Sequence, residues 1–291
     1  NLYNSKRYED VISKCNIFIK KYPEQIIFYN AASLSLSAIG KNDEALKILN
    51  KALLQQPNDI NVLNNLGLVS FNLSKNKQAR EYFEKAISLN NQFIDAMVNL
   101  SNLAIKEGKI KEAKKNLDRA LELSTSQDKD EIINLGLGHY YQQTGNFEES
   151  IKYFEIVKKI NPLNSIADRE ISVLHKYEKN DDPHLIEIEA KLAQTKDIES
   201  VKRLSFAAGK AHEDLKNYDI SFNYLKKANQ IADEQINYNF EDDKKLFGNI
   251  KKLFIDFRKN LPFKSKKKII FIVGMPRSGT TLAEQIISSH K

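Results

Sequence analysis

The sequence predicts an all-α chain over most of its length, a right-handed solenoid of antiparallel helix pairs. The opening strand, glycine-rich loop and helix of an α/β domain follow at the C-terminal end. Three observations carry this. One pattern of small and large apolar residues recurs at intervals of 34, 34 and 37 residues, and a period in this range marks stacked helical repeats. Glycines fall between the apolar segments of three of the pairs, at Gly40, Gly108 and Gly145. From Ile269 onward, helical periodicity gives way to a continuous β-branched run and a glycine-rich turn.

The pattern is clearest in NDEALKILNKALLQQP, NKQAREYFEKAISLNN, KIKEAKKNLDRALELS and NFEESIKYFEIVKKINP. Its anchors are Ala45, Ala79, Ala113 and Ser150. Leu49, Phe83, Leu117 and Phe154 come four residues later, and Ala52, Ala86, Ala120 and Val157 seven later. Positions i, i+4 and i+7 share one helical stripe, so two small residues admit a neighbouring helix closely and the large one fills the gap. Pro57 and Pro162 close two units, and Asn91 and Thr125 the other two. The partner helices are FYNAASLSLSAI, VLNNLGLVSFNLS, AMVNLSNLAIKE and INLGLGHYYQQT. Gly40, Gly108 and Gly145 stand within pairs where a left-handed residue is needed. The longest interval holds a three-residue insertion in the polar run STSQDKD. Val11 and Pro23 extend the pattern back, 34 residues before Ala45 and Pro57.

After Pro162 the pattern degrades. SIADREISVLHKYEKN reads as a first helix, and Asp182 and Pro183 as the cap and first residue of another, giving an irregular pair. The period recovers at Gly209, Tyr218, Leu225 and Ala228. A longer helix carries Phe240, Leu246, Phe247, Ile250, Leu253, Phe254 and Phe257, and Leu261-Pro262 ends it.

These features resemble the tetratricopeptide repeat, most strongly over residues 26–164, with Tyr29, Leu63 and Met97 where that family usually has tryptophan. The resemblance implies that first helices line a concave surface holding a protein or peptide, or the protein's own neighbouring domain. Groove-facing positions include Asn30, Leu34, Asn64, Leu68, Val98 and Asn102. Leu34 and Leu68 stand where a carboxylate-binding clamp would need polar residues. Asn65 and Asn99 read as serving the backbone. His139, His175 and His212 read as half-buried packing residues of first helices, because metal ligands must converge. Asp181, Asp182 and His184 read as helix capping rather than a metal site.

Charge and composition exclude several classes. The chain has 45 Lys+Arg against 38 Asp+Glu, a net charge of +7, but the two signs alternate along the helices as on a solvated surface. No nucleic-acid face is expected. The dense run KSKKK at 264–268 reads as a solvated linker, with a raised positive potential beside a polyanionic ligand as the alternative. No stretch approaches the roughly 18 apolar residues of a membrane span. One cysteine, Cys15, excludes an intramolecular disulfide framework and suits a reducing, cytoplasmic setting. The chain starts at Asn1 and stops at Lys291, and the expectation is an internal piece of a longer protein, with any upstream leader left open.

Ile269–Val273 reads as a strand apolar on both faces, the kind found inside parallel sheets. G-M-P-R-S-G-T-T follows from Gly274, then the helix TLAEQIISSH. Strand, glycine-rich loop and helix form a phosphate-binding context, with backbone N–H groups and a helix N-terminus directed at an anion. Thr280 stands where an ATP-binding loop would carry lysine. A donor without β- and γ-phosphates would not need that lysine. The loop PRSGTT resembles that of sulfotransferases using 3′-phosphoadenosine 5′-phosphosulfate, nearest the tyrosylprotein sulfotransferase-like branch. Fusion of such a domain to tetratricopeptide repeats is a known bacterial architecture. The resemblance implies that Pro276, Arg277, Ser278, Gly279, Thr280 and Thr281 bind the 5′-phosphosulfate. It implies that Arg277 is the catalytic residue here, stabilising charge on the transferring group, and that no metal is used. It also places the general base and the 3′-phosphate-binding residues beyond Lys291, so residues 1–291 alone are expected to be inert. Lys291 follows His290 where many relatives have proline.

The expected organisation is a solenoid at 1–235, a connecting helix and linker at 236–265, and the start of a truncated transferase domain at 266–291. Two other readings stay open from the residues themselves: a binding scaffold without catalysis, and a P-loop ATPase or kinase.

Overall fold

The structure is a computed structural model, and it describes residues 8–235 and 240–259. Among the described residues there are fourteen helices and no strand. They are α1 (Tyr8–Lys21), α2 (Ile26–Ala38), α3 (Asn42–Gln55), α4 (Ile60–Asn72), α5 (Asn76–Leu89), α6 (Ile94–Lys106) and α7 (Ile110–Leu123). After them come α8 (Gln127–Gln143), α9 (Phe147–Ile160), α10 (Ser165–Leu174), α11 (Pro183–Gln194), α12 (Ile198–Asp214), α13 (Tyr218–Gln235) and α14 (Phe240–Lys259). The chain divides into two compact units, Asn1–Ile236 and Asn237–Lys291.

The first unit is a right-handed solenoid of antiparallel helix pairs. Sequential helices pack from α1 through α7, and α2, α4, α6 and α8 also stack on one another as an inner row. The anchors set this packing. Ala45, Ala79, Ala113 and Ser150 are all fully buried, as are Ala52, Ala86, Ala120 and Val157. Where serine replaces alanine, its hydroxyl donates to a facing first-helix carbonyl: Ser150 to Gly138 at 2.8 Å, and Ser221 to Gly209 at 2.8 Å. Glycine on the facing helix lets the large residue of the pair seat. A methyl on Gly67 would meet Phe83 at 2.4 Å, and one on Gly138 would meet Phe154 at 2.5 Å.

Turn chemistry follows one pattern. Gly40, Gly108 and Gly145 take φ of 80°, 74° and 78°. Each ends its helix with the paired backbone bonds of a Schellman turn, as in Lys41 N–H to Leu36 O at 2.8 Å. Ser74 and Lys216 make the same turn at φ 58° and 62° without glycine.

Two elements differ from expectation. STSQDKD, read as a polar insertion, supplies an extra helical turn, since α8 begins at Gln127. Lys129 pairs with Asp95, and the Ser124 hydroxyl donates to Asp130 at 2.6 Å, so tertiary contacts hold that turn. The irregular pair is α10 and α11, and α10 stops at Leu174. His175 is thus the residue after the helix rather than within it, and its carbonyl accepts from Lys210. α10 packs on α9 and α12, and α11 packs on α12.

The described part of the second unit is α14. Its acidic first turn, Glu241, Asp242 and Asp243, follows an exposed Phe240 and precedes an amphipathic run in which Leu246 and Phe247 are exposed. The expected strand at Ile269–Val273 and the helix after it lie outside the described residues.

Candidate functional site

The first candidate is the inner wall of the solenoid. α2 and α4 carry a ladder of amides: Asn65 Nδ2 donates to Asn30 Oδ1 at 2.9 Å, and Asn99 Nδ2, from α6, donates to Asn64 Oδ1 at 2.9 Å. Asn65 and Asn99 were expected to serve the backbone, but their side chains link successive repeats instead. Each pair leaves an amide N–H₂ on one residue and a carbonyl oxygen on the other, a donor and an acceptor that a main chain could use. Leu34, Leu68 and Asn102 lie half-buried beside them. Further along, the Arg169 guanidinium on α10 sits 6.0 Å from the ring of Phe206 on α12. A cleft of about 470 Å³ separates the end of α2 (Ser37 to Gly40) from Lys202 and Arg203 on α12. Glu199 pairs with both of these cations, at 2.9 and 3.2 Å.

The second candidate is a buried ionic cluster joining α9, α10 and α11. Asp168 is 0% exposed and accepts from Lys191 at 2.8 and 3.0 Å, with Lys158 Nζ 3.6 Å away. Glu187 bridges the same two lysines at 2.8 and 2.7 Å. Burial pushes the Glu187 carboxyl up, but the two ammonium groups outweigh it and hold it below the usual carboxylate range. His184 closes the cluster. Its Nδ1 lies 2.7 Å from the Tyr177 hydroxyl, and its buried Nε2 lacks a hydrogen-bond partner 3.6 Å from Asp168. Burial drives the Tyr177 phenol far above its ordinary value, so its hydroxyl stays protonated.

The segment between α10 and α11 is tied at both ends. Tyr177 N–H donates to Asp214 at 3.1 Å, and Lys210 bonds the same carboxylate at 2.6 Å. As the sequence indicated, Asp182 caps α11, accepting from His184 N–H at 2.9 Å, and it also contacts His175 Nε2 at 2.9 Å. Burial raises both carboxyls. The bonds from Lys210 and Tyr177 N–H for Asp214, and from His175 and His184 N–H for Asp182, outweigh it and leave both below the usual range.

His139, His175 and His212 do not converge on one another. His139 meets Phe154 edge-on, with its pKa lowered by burial, and His212 stacks on Tyr224 and bonds Glu189 at 3.0 Å. Among the described residues no group of His, Cys, Asp and Glu could hold a metal ion, and no helix is long and apolar enough to cross a membrane. Pro276, Arg277, Ser278, Gly279, Thr280 and Thr281 lie outside the described residues.

Similarity to known proteins divides along the same line. Residues 1–133 match the family described as "Psidin, N-terminal TPR repeats region", and residues 133–162 match "Tetratricopeptide repeat". Residues 270–291 match "Sulfotransferase family". An uncharacterised protein of Aquifex aeolicus (strain VF5) is 32% identical over 160 residues, covering 53% of this chain and 20% of the relative. The matched stretch thus spans about a fifth of that relative's length. Among solved structures, the human IFIT1 dimer with m7Gppp-AAAA aligns at TM-score 0.65 and 16% identity over 88% of this chain and 60% of its own. The Cut9–Hcn1 assembly of the APC/C aligns at 0.62 and 19% identity over 77% and 43%. A tetratricopeptide repeat protein of Parabacteroides merdae aligns at 0.52 and 20% identity over 82% and 96%. These likenesses concern the fold alone. With its anchors, turns and inner row on the solenoid plan, the chain is a tetratricopeptide-repeat protein carrying a sulfotransferase-family match at its C-terminal end.

Proposed function

We propose that the protein is a repeat-bearing sulfotransferase, moving a sulfuryl group from 3′-phosphoadenosine 5′-phosphosulfate to a hydroxyl acceptor, with protein tyrosine as one acceptor class. The observation that carries this is the sulfotransferase-family match at 270–291, which contains the lysine-less loop. The donor set of that loop suits the ligand. Ser278, Thr280 and Thr281 supply hydroxyls, and the glycine-rich backbone supplies N–H groups to a phosphosulfate with no terminal phosphates for a lysine to reach. Arg277 would offset charge developing on the sulfuryl oxygens and the bridging oxygen as the bond to the donor breaks.

Repeat domains of this fold bind proteins or peptides, and the inner wall is the surface that would do so here. Its spare amide donors and acceptors on α2, α4 and α6 support that role. The solenoid would then select or present the acceptor. A scaffold without catalysis is the second reading, favoured by the solenoid occupying most of the described chain.

Equilibrium binding to the full-length protein distinguishes these. Adenosine 3′,5′-bisphosphate, the donor product, should bind in the presence of a metal chelator, and ATP should compete poorly. Absence of any binding would leave the scaffold reading, and tight magnesium-dependent ATP binding would replace both with a nucleotide site.

A further inference from the structure

We infer that α14 and the lysine run after it form an in-plane binding site for an anionic lipid surface. The alternation of charge along the solenoid stops at the first turn of this helix. From Lys244 to Lys268 the sequence holds ten basic residues and one acidic residue, Asp256, which leaves 35 Lys+Arg against 37 Asp+Glu in the rest of the chain. The whole positive excess therefore sits in one stretch, immediately before the sulfotransferase-family match at 270–291.

The same stretch carries an uncovered apolar face. Phe240, Leu246, Phe247 and Ile250 fall on one arc of α14. Leu246 and Phe247 are 54% and 61% exposed, whereas Phe83 and Phe154 of the solenoid are 1% and 0% exposed. Leu253, Phe254 and Phe257 continue the register in the sequence. Lys244 and Lys251 border the arc and Lys245 and Lys252 stand opposite it, all four exposed. Asp243 interrupts the arc in the first turn. Glu241 and Asp242 pair with Lys244 and Lys245 at 3.3 and 3.8 Å, exposed contacts that water screens. Lys251 and Lys252 have no ion pair among the described residues. This arrangement suits a bilayer boundary. The apolar face enters the acyl region, the bordering lysines reach headgroups along their methylene stems, and the run at 264–268 adds long-range attraction. Duplex nucleic acid would meet the lysines but offer nothing to Phe247 and Ile250. Binding of this kind lies in the plane of the membrane and needs no spanning helix.

Co-sedimentation of the full-length protein with vesicles tests this. Vesicles of equal parts phosphatidylserine and phosphatidylcholine should be bound at least about tenfold more tightly than phosphatidylcholine alone, the difference shrinking at high salt. The combined variant Lys264→Gln, Lys266→Gln, Lys267→Gln and Lys268→Gln leaves α14 untouched. It should weaken anionic binding by at least about tenfold, since each basic residue near such a surface contributes about fivefold. Phe247→Asp should weaken it by about tenfold or more, through lost apolar burial and added charge. Residues 1–291 contain no tryptophan, so Phe247→Trp reports on the face itself, and the emission it adds should shift to the blue on anionic vesicles. Emission already blue and unmoved by vesicles would mean that the face is covered within the protein, and would overturn the inference. So would failure to bind the anionic vesicles, equal binding to both kinds, or binding that survives both the glutamine variant and Phe247→Asp. Tighter binding to a DNA duplex than to the anionic vesicles would replace the lipid surface with nucleic acid.

Discussion

Replacing Asp168 with asparagine tests whether the buried cluster holds the irregular part of the solenoid together. Asp168→Asn keeps the side-chain shape and removes one charge from a group that is 0% exposed. Lys191 and Lys158, 12% and 9% exposed, then lose an anion 2.8 and 3.6 Å away. Breaking a buried pair by removing one partner costs about 3–5 kcal/mol. Glu187 still meets both lysines, at 2.7 and 2.8 Å, but is itself 39% exposed and screened by water, which puts the expected loss near the lower end, about 3 kcal/mol. Urea unfolding followed by far-UV circular dichroism measures the loss, and hydrogen exchange should place it in α9, α10 and α11 rather than in α2 to α6, because solenoid contacts are nearest-neighbour. Asp168→Asn with Lys191→Met should recover at least about 1 kcal/mol, since it also removes the stranded cation. A cost below roughly 0.5 kcal/mol for the single variant, or a double variant less stable than the single one, would refute the reasoning.

Other expectations follow from the same structure. Gly67→Ala sets a methyl 2.4 Å from Phe83 and should cost about 1–3 kcal/mol, with Phe83→Leu in the same chain restoring part of it in thermal melts. Gly108→Ala meets no atom within 4 Å, so its cost, about 1 kcal/mol, should be that of the left-handed backbone alone, and Ser74→Gly should stabilise by up to about 1 kcal/mol at φ 58°. Asp182 and Asp214 stay ionised in the folded protein at pH values where the unfolded chain takes up protons. Their contribution is complete above the ordinary carboxylate value of about 4 and is lost as pH falls through the lower folded-state values, so an acid titration of stability that stays flat below pH 4 would count against these pairings.

Much of the solenoid is legible in the sequence because its packing repeats. Ala45, Ala79 and Ala113 bury at equivalent points, so one stripe predicts the next. Gly40, Gly108 and Gly145 mark turns because left-handed φ favours glycine, while Ser74 and Lys216 make the same turn unmarked. The extra turn of α8 is hidden because STSQDKD looks the same as loop or as solvated helix until Lys129 meets Asp95. The amide ladder and the Asp168 cluster are hidden for another reason. The amide pairs lie 35 residues apart and Asp168 and Lys191 lie 23 apart, separations at which neither partner, taken singly, announces the other. The loop at 276–281 is legible only as composition and spacing, so its assignment rests on chemistry and family similarity.

The central claim is tested most directly by sulfuryl transfer in the full-length protein with and without Arg277. With 3′-phosphoadenosine 5′-phosphosulfate as donor, Arg277→Ala should lower the transfer rate by roughly a hundredfold or more, the scale for losing one preorganised charge-stabilising donor. Donor binding should weaken less, and a chelator should leave turnover intact. Transfer unchanged by Arg277→Ala, or turnover abolished by chelation while ATP protects the loop from proteolysis, would contradict the sulfotransferase account.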